Sequence, residues 1–311
     1  MICEVITIKL FIIGNGFDRA HGLPTSYWDF RTYLDNRRPE FLCDFEAHYD
    51  IYPASNEDAM KQMLWNELET NLANIDEETI IDQAVGIDMG LESGDVGIED
   101  TLYRYFSDEY GYINQLANHL KQWVRTIRIQ GATPKSTHID IRNADYYVSF
   151  NYTAVLETVY KINSSSVLHI HGSLRQHDDN PVLGHGNMGR INNVKKNREE
   201  AERLFDEKWS SICKAVEDYY KRTYKNINRY MPLLHRLSQM PIIEIIIVGH
   251  SLAGVDLPYF EAINRIVGNH VCWKVYYYSE DEKQRMKDSL IRCSIDKLRI
   301  ELIHSSQFYN L

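Results

Sequence analysis

The feature that most constrains the fold is a short apolar run that ends in glycines. Leu10 to Ile13 are four consecutive apolar residues, and Gly14-Asn15-Gly16 follow them at once. This pattern predicts a buried strand that enters a glycine-rich loop. In an open α/β sheet such a loop lies at the ligand-binding edge, where glycines let the backbone approach a phosphate. The sequence predicts an anion-binding loop here, with a tight strand-to-helix turn as the structural alternative.

The rest of the chain alternates strand patterns and helix patterns. Strand-like apolar runs cover residues 146–150, 167–170, 242–248, 273–278 and 298–303, and helical spacing covers 27–34, 57–75, 110–129, 154–161, 257–267, 281–289 and, as one or two long helices, 195–237. This alternation favours an α/β fold whose mainly parallel sheet carries helices on both faces. We expect one domain over residues 1–311, with helical insertions at about 36–140 and 190–238. The first insertion contains an acidic stretch, 76–109, which we expect to be a solvated surface segment.

Composition excludes several classes of protein. A formal net charge of -10 over 311 residues argues against sequence-independent binding to nucleic acid or to anionic membranes, although a small local basic site stays open. The longest apolar runs are strand-sized and no secretory signal is visible, so we expect a cytoplasmic protein with no membrane span. The five cysteines are scattered and form no CxxC pair. Reduced thiols and no structural zinc are therefore expected.

Unusual polar side chains follow four of the predicted strands. Just past the strand ends lie Asn15 and Asp18, then Asn151, then His171, and finally Ser251 and Asp256. Because the carboxyl ends of parallel strands meet at one edge of a sheet, we expect these side chains to line one cleft. Structural alternatives stay open: a helix cap for Asn151, a hydrogen-bonded core histidine for His171 and a turn residue for Ser251.

Several blocks of the sequence carry a resemblance to a known family. They are Gly14-Asn15-Gly16-Phe17-Asp18, His21-Gly22-Leu23-Pro24-Thr25, Trp28-Asp29-Phe30, Phe150-Asn151-Tyr152-Thr153, His169-Ile170-His171-Gly172, Gly184-His185-Gly186, and Gly249-His250-Ser251 with Asp256. These blocks resemble the AbiH family of bacterial phage abortive-infection proteins, and the first block is quite specific. The resemblance covers most of the chain and implies a role in phage defence.

The same blocks resemble, more distantly, the sirtuin-like NAD-binding fold. That resemblance implies a Rossmann-like sheet in which Asn151 and His171 take the catalytic places. It places Gly14, Gly16 and Asp18 near the NAD phosphates and ribose, and Gly249, Ser251 and Asp256 on the adenosine side; Asn15, His21 and His185 complete the expected nucleotide-binding set. Asp18 stands where sirtuins usually have Ser, Thr153 stands where they usually have Asp, and the cysteine zinc module is missing. We therefore expect NAD hydrolysis or plain nucleotide binding rather than protein deacylation.

The chemistry of such a site is consistent with these side chains. Cleavage of the bond between nicotinamide and ribose passes through an oxocarbenium-like transition state, which needs a positioned water, a base and a dry pocket. His171 can act as the base, and Asn151 can orient water and ribose hydroxyls without carrying a charge. We expect an NAD glycohydrolase gated by homo-oligomerisation or a phage-derived trigger, with a non-catalytic nucleotide sensor as the alternative.

Two other hypotheses compete for the same residues. Gly249-His250-Ser251 could be the nucleophile elbow of a serine hydrolase with His304 as its base, but Pro258 falls where the elbow's helix should continue. His169 and His171 alternate along a strand and could share a metal ion. The sequence lacks a carboxylate-rich partner motif or an HExxH motif, so we expect no metal.

Overall fold

A single parallel sheet forms the centre of the fold. The computed structural model describes residues 7–75, 111, 113–173 and 182–309, and in this part of the chain six strands lie in the order β3-β2-β1-β4-β5-β6, with every neighbouring pair parallel. The strands are β1 (Ile8–Ile13), β2 (Tyr146–Ser149), β3 (Val167–His169), β4 (Ile242–Val248), β5 (Cys272–Tyr277) and β6 (Ile300–His304). This order is that of a doubly wound Rossmann fold. The predicted α/β class with a parallel sheet is confirmed.

Helices connect and cover the strands. In chain order they are α1 (Asn15–Ala20), α2 (Tyr27–Arg37), α3 (Pro39–Ala47), α4 (Glu57–Met60), α5 (Leu68–Asn71), α6 (Ile113–Val124), α7 (Val155–Thr158), α8 (Met188–Arg203), α9 (Glu207–Arg222), α10 (Leu257–Val267) and α11 (Glu280–Arg292). A π-helical turn, Lys61–Trp65, lies between α4 and α5, and short 3-10 segments precede several strands. One such segment, Gly254–Asp256, leads directly into α10.

The strands alternate between two hydrophobic cores, one on each face of the sheet. Leu10 and Ile12 of β1 pack into one core, whereas Phe11 and Ile13 pack into the other. Because successive side chains of a strand point to opposite faces, a strand that is apolar at every position must be covered on both sides. Burying each aliphatic side chain contributes roughly 1.5–3 kcal/mol, so the apolar runs that predicted the strands also hold the sheet together.

Three predicted elements differ from the structure. Gly14-Asn15-Gly16 does not form a separate loop, because β1 ends at Ile13 and α1 already begins at Asn15. The helix predicted over 57–75 is divided by the π-helical turn. The one or two long helices predicted over 195–237 are two helices, but they start earlier, at Met188, and end earlier, at Arg222. Asp206 accepts a hydrogen bond from the Trp209 amide and so caps the second of these helices. The acidic stretch 76–109 lies outside the described residues.

The chain divides into two compact units. One contains Met1–Ser26, Lys121–Val182 and Asn226–Leu311, and therefore the whole sheet; the other contains Tyr27–Leu120 and Leu183–Lys225 and is helical where it is described. The expected organisation, one domain with helical insertions, stays a prediction. In the described part of the chain, every helix is too short or too polar to cross a membrane.

Candidate functional site

The carboxyl edge of the sheet has a topological switch point between β1 and β4. In the sheet, β2 and β3 lie on one side of these two central strands, and β5 and β6 lie on the other. In sheets with this strand order, ligands bind in the crevice just outside the carboxyl ends of the strands. The predicted site residues of the sheet-containing unit follow β1, β2, β3 and β4, so four strands deliver them to this edge.

Three glycines hold the turns after β1 and β4 tightly together. A Cβ on Gly249 would lie 2.1 Å from the Phe17 nitrogen, and one on Gly14 would lie 2.5 Å from the His250 Cα. The amides of Gly14 and Gly16 donate to the carbonyls of Val248 and Gly249, at 3.0 and 2.7 Å. The glycines are therefore needed because the two backbones approach each other closely. This agrees with the structural alternative given for this motif, a tight turn from strand to helix.

This packing favours the tight turn over an open anion loop, and the assignment of Gly14 and Gly16 to phosphate binding stays a prediction. The space that a Cβ on Gly14 would take is filled by Gly249 and His250, and the Gly16 amide already has an acceptor. The Phe17 amide also donates to the Gly14 carbonyl, at 2.9 Å. These amides have protein partners and do not point at an open space, so this turn by itself gives no argument for a phosphate.

Asp18 is the centre of a buried polar cluster near the carboxyl ends of β1 and β2. The Asn151 side-chain amide donates to one Asp18 oxygen at 2.8 Å and to the Gly14 carbonyl at 3.1 Å, and the Thr153 hydroxyl donates to the other Asp18 oxygen. Burial raises the pKa of Asp18 to about 6, although the Thr153 and Asn151 hydrogen bonds oppose the rise. Asp18 thus ties the end of β2 to α1, and the amide nitrogen of Asn151 is fully used in doing so.

Two histidines near this cluster have structural partners on both ring nitrogens. His21 contacts the Phe17 carbonyl at 2.7 Å through Nδ1 and the Tyr160 hydroxyl at 2.8 Å through Nε2. His169 contacts the Asn151 carbonyl and Glu157, each at 3.0 Å. Desolvation by burial lowers the pKa of His21, which favours its neutral form. Both ring nitrogens of His21 are therefore engaged within the protein, and its assignment to nucleotide binding stays a prediction.

His171 lies beside a carboxylate and a second histidine. Its Nε2 lies 3.6 Å from Asp256 Oδ1, and Nε2 of His250 lies 3.4 Å from Asp256 Oδ2. Both imidazoles are buried, and Phe150 contacts both edge-on, with ring-centroid distances of 5.1 and 4.5 Å. Tyr259 also lies against His171, at 5.3 Å between ring centroids. A histidine next to a carboxylate in apolar surroundings has the chemistry of an oriented general base.

Asn151 and His171 follow neighbouring strands in the same register. Ser149 of β2 pairs with His169 of β3, and Asn151 and His171 each lie two positions beyond that pair. The two residues to which the catalytic role was assigned therefore follow the carboxyl ends of neighbouring strands. The whole candidate site consists of the Asp18, Asn151 and Thr153 cluster and the His171, Asp256 and His250 group.

The comparisons with known proteins give a family. The family model described as Bacteriophage abortive infection AbiH matches residues 10–277. The chain belongs to the AbiH family. The match contains every residue of the candidate site and supports a role in phage abortive infection. None of the curated proteins matches this AbiH chain, and the more distant sirtuin-like resemblance stays a prediction.

The nucleophile-elbow hypothesis does not fit this AbiH chain. An elbow passes from its serine straight into a helix, but here α10 begins at Leu257, after an irregular loop and a 3-10 turn. His304, at the end of β6, contacts Ser306 and the Tyr278 carbonyl, and β5 separates its strand from β4. Ser251 is exposed on the loop, and the assignment of this residue to nucleotide binding stays a prediction.

The shared-metal hypothesis also fails on geometry. Strand β3 ends at His169, so the strand alternation that would put His169 and His171 on one face does not continue to His171. The two rings have different partners, Glu157 for the first and Asp256 for the second. Among the described residues, no group of three metal-ligating side chains converges.

Two predicted residues remain, Asn15 in the unit that contains the sheet and His185 in the helical unit. Asn15 is exposed and donates to the Thr25 carbonyl at 2.8 Å. His185 belongs to the helical unit, is buried, and contacts the Tyr220 carbonyl through Nε2 and the Asn187 amide through Nδ1, both at 3.0 Å. Burial lowers the pKa of His185, so its geometry is that of a neutral structural histidine.

Sequence reasoning missed His250 and Thr153 as site residues. Both lie inside blocks that the resemblance had already marked, Gly249-His250-Ser251 and Phe150-Asn151-Tyr152-Thr153. Asp256 was assigned to the adenosine side, whereas its carboxylate lies beside His171. The only signal for these roles was their position within the blocks, because spacing alone does not give the direction of a side chain.

Proposed function

We propose that this AbiH protein acts in phage defence as an NAD glycohydrolase. It would hydrolyse the bond between nicotinamide and ribose and so deplete the cytoplasmic NAD of the infected cell. The observation that carries the proposal is the pairing of His171, just past the end of β3, with Asp256, while Asn151 follows the end of the neighbouring strand β2. The position of this group, at the edge where this strand order binds ligands, supports it.

The reaction needs a water and a base. In the proposed step His171 takes a proton from water, whose oxygen forms a bond to C1′ of the ribose. The bond from C1′ to the nicotinamide nitrogen breaks, and its electron pair stays on that nitrogen, so neutral nicotinamide leaves. Asp256 stabilises the protonated His171, as carboxylates do for catalytic histidines, and the ring contacts of Phe150 and Tyr259 keep bulk water away.

Asn151 would orient the sugar through its side-chain oxygen, Oδ1. Its side-chain nitrogen already donates to Asp18 and Gly14, which fixes the amide plane. The oxygen accepts hydrogen bonds only, so it suits a ribose hydroxyl or the attacking water. A fixed acceptor of this kind lowers the entropy cost of reaching the reactive geometry.

The rest of the binding set and the control of the enzyme belong to the same proposal. The exposed residues Asn15 and Ser251 would contact more distant parts of NAD, since the glycine turn offers no free cradle for its phosphates. An enzyme that consumes NAD must stay inactive until infection. We propose that homo-oligomerisation or a phage-derived trigger provides that control.

The test is nicotinamide release by purified protein, measured by chromatography, for wild type and matched variants. Wild type should turn NAD over, and H171A should lose at least about 100-fold in kcat, since general-base catalysis contributes about 10²–10⁴. N151A should lose turnover as well, provided that circular dichroism shows a folded protein. H304A is the control, because His304 is an exposed histidine at the end of β6 with no part in the site.

The outcome for wild type separates the two functions. Absence of turnover together with no rise of the melting temperature in saturating NAD would refute NAD as the ligand. Absence of turnover with a clear rise would instead favour the nucleotide sensor, since a ligand at 100 times its Kd stabilises by about 2.7 kcal/mol.

A further inference from the structure

A strained loop after β4 fixes the orientation of His250. Gly249 and Leu252 both have left-handed backbones, with φ of 68° and 54°. A left-handed conformation is costly for leucine, and strain of this kind concentrates at functional sites. In this loop the Leu252 amide donates to His250 Nδ1 at 3.0 Å.

That hydrogen bond determines the tautomer of the neutral His250 ring. A backbone amide can only donate, so Nδ1 must be the acceptor and must lack a proton. The proton of the neutral imidazole is then on Nε2. This is the nitrogen that lies 3.4 Å from Asp256 Oδ2, so His250 presents a donor to that carboxylate.

Asp256 therefore has one histidine on each oxygen. Oδ2 faces His250 and Oδ1 faces His171, at 3.4 and 3.6 Å. The two histidines follow β4 and β3, which β1 and β2 separate in the sheet, so only the folded edge brings them to one carboxylate. Both distances exceed a full hydrogen bond by a few tenths of an ångström, but both lie within the 4 Å range of an ion pair.

We infer that His250 is a positioning residue for the proposed glycohydrolase. Its Nε2 proton holds Asp256 Oδ2, which leaves Oδ1 aimed at His171 and orients the base. The inference rests on the proposed function, and it assigns a role to a residue whose other contacts are the Leu252 amide and ring packing against Phe150 and Phe260. A packing role alone would need only the ring, whereas positioning needs the donor.

Two substitutions separate the donor from the ring. H250F keeps an aromatic ring against Phe150 and Phe260 but removes the donor, and H250Q restores an N–H at the place of Nε2. Both variants lack the Nδ1 acceptor of the Leu252 amide, so the difference between them reports the donor. Loss of a hydrogen bond to a charged group costs about 10- to 100-fold in rate, so H250F should lower kcat by that factor with little change in KM. H250Q should recover much of the loss. Wild-type kcat in H250F, with both variants folded, would overturn the inference while leaving the glycohydrolase intact.

A second measurement does not depend on activity. Long-range proton–nitrogen NMR spectra of histidine-labelled protein at pH 7 should show His250 with its proton on Nε2. The Nε2 proton signal should move upfield in D256N and stay in place in H304A. A proton on Nδ1, or a signal that D256N leaves unchanged, would overturn the inference even if wild type proved unable to cleave NAD.

Discussion

The carboxyl group of Asp18 is almost completely buried from solvent. Its relative exposure is 1%, and Asn151 and Thr153 supply the hydrogen bonds that partly offset burial. With a folded-state pKa near 6 against an ordinary 3.8, the folded state binds a proton more tightly than the unfolded state. The contribution of Asp18 to the free energy of unfolding therefore falls as pH rises from below about 4 to above about 6, by an amount on the order of 3 kcal/mol.

Asp18→Asn should remove this pH dependence. The new side chain can accept from Asn151 and donate to the Thr153 oxygen, so both neighbours keep a partner without a buried charge. Urea unfolding at pH 4 and pH 7.5 should show that the wild type, relative to the variant, loses stability at the higher pH. Asp35→Asn, an exposed position on α2, is the control and should change nothing. Equal pH dependence in wild type and Asp18→Asn would contradict the assigned pKa.

Gly249 tests the close packing of the two turns. Gly249→Ala would place a methyl group 2.1 Å from the Phe17 nitrogen, and backbone cannot move aside as a flexible side chain can. Gly22 is a matched control, because its φ of 76° is just as left-handed while no described atom lies within 4 Å of the place an alanine Cβ would take. Both alanines carry the backbone penalty of about 1–2 kcal/mol. Gly249→Ala should cost at least about 2 kcal/mol more in urea unfolding; equal costs would show that the turns can separate.

At the scale of elements, the position of α10 determines the place of Asp256. Arg299 anchors the far end of this helix: its guanidinium donates to the Gly268 carbonyl at 2.9 Å, the Val271 carbonyl at 2.8 Å and Asn264 Oδ1 at 3.1 Å. The planar guanidinium group makes these hydrogen bonds through three different nitrogens, and the single ammonium group of a lysine cannot make all of them. The anchor connects α10 to β5 and β6 of the same unit.

Arg299→Lys should therefore lower the free energy of unfolding by about 1.5–3 kcal/mol, the range for hydrogen bonds to charged groups. Arg265→Lys is the control on the same helix, since Arg265 makes an exposed pair with Glu261 that contributes little. Denaturant unfolding of the two variants measures the difference. A loss as small as that of the control would mean that α10 is held without the Arg299 hydrogen bonds.

Strands were predictable from the sequence because one local property determines them. Ile242–Val248 is apolar along almost its whole length, and a parallel strand that is buried on both faces requires such a run. Helix bounds were less predictable, as residues 57–75 show, where helical spacing continues through a π-helical turn that the pattern does not encode. Similarly, the pattern of Gly14 and Gly16 is the same for an anion loop and for the close packing that the structure has.

The candidate site shows the same division. The positions of Asn151 and His171 were predictable because each follows a strand at the edge where parallel strands converge, whereas their catalytic role stays a prediction. The pairing of His171 with Asp256 depends on the order β3-β2-β1-β4 and on the path of the loop after β4, and local spacing encodes neither. His250 was missed for the same reason, since its role depends on the left-handed backbone at Leu252.

At the scale of the whole molecule, membership of the AbiH family supports a role in phage abortive infection. A defence that depletes NAD must act after infection and must spare uninfected cells. In the proposed mechanism the chemistry belongs to the sheet edge, while an oligomer or a phage-derived trigger controls when it acts. Removing the base should therefore abolish both NAD loss and protection, without changing the amount of folded protein.

The most direct test is the NAD content of infected cells that express wild type, H171A or H304A at equal levels. We predict that NAD falls after phage infection with wild type and with the H304A control, that it stays at the uninfected level with H171A, and that protection follows the same pattern. Protection by wild type with unchanged NAD, or an NAD loss that persists in H171A, would contradict the proposed function.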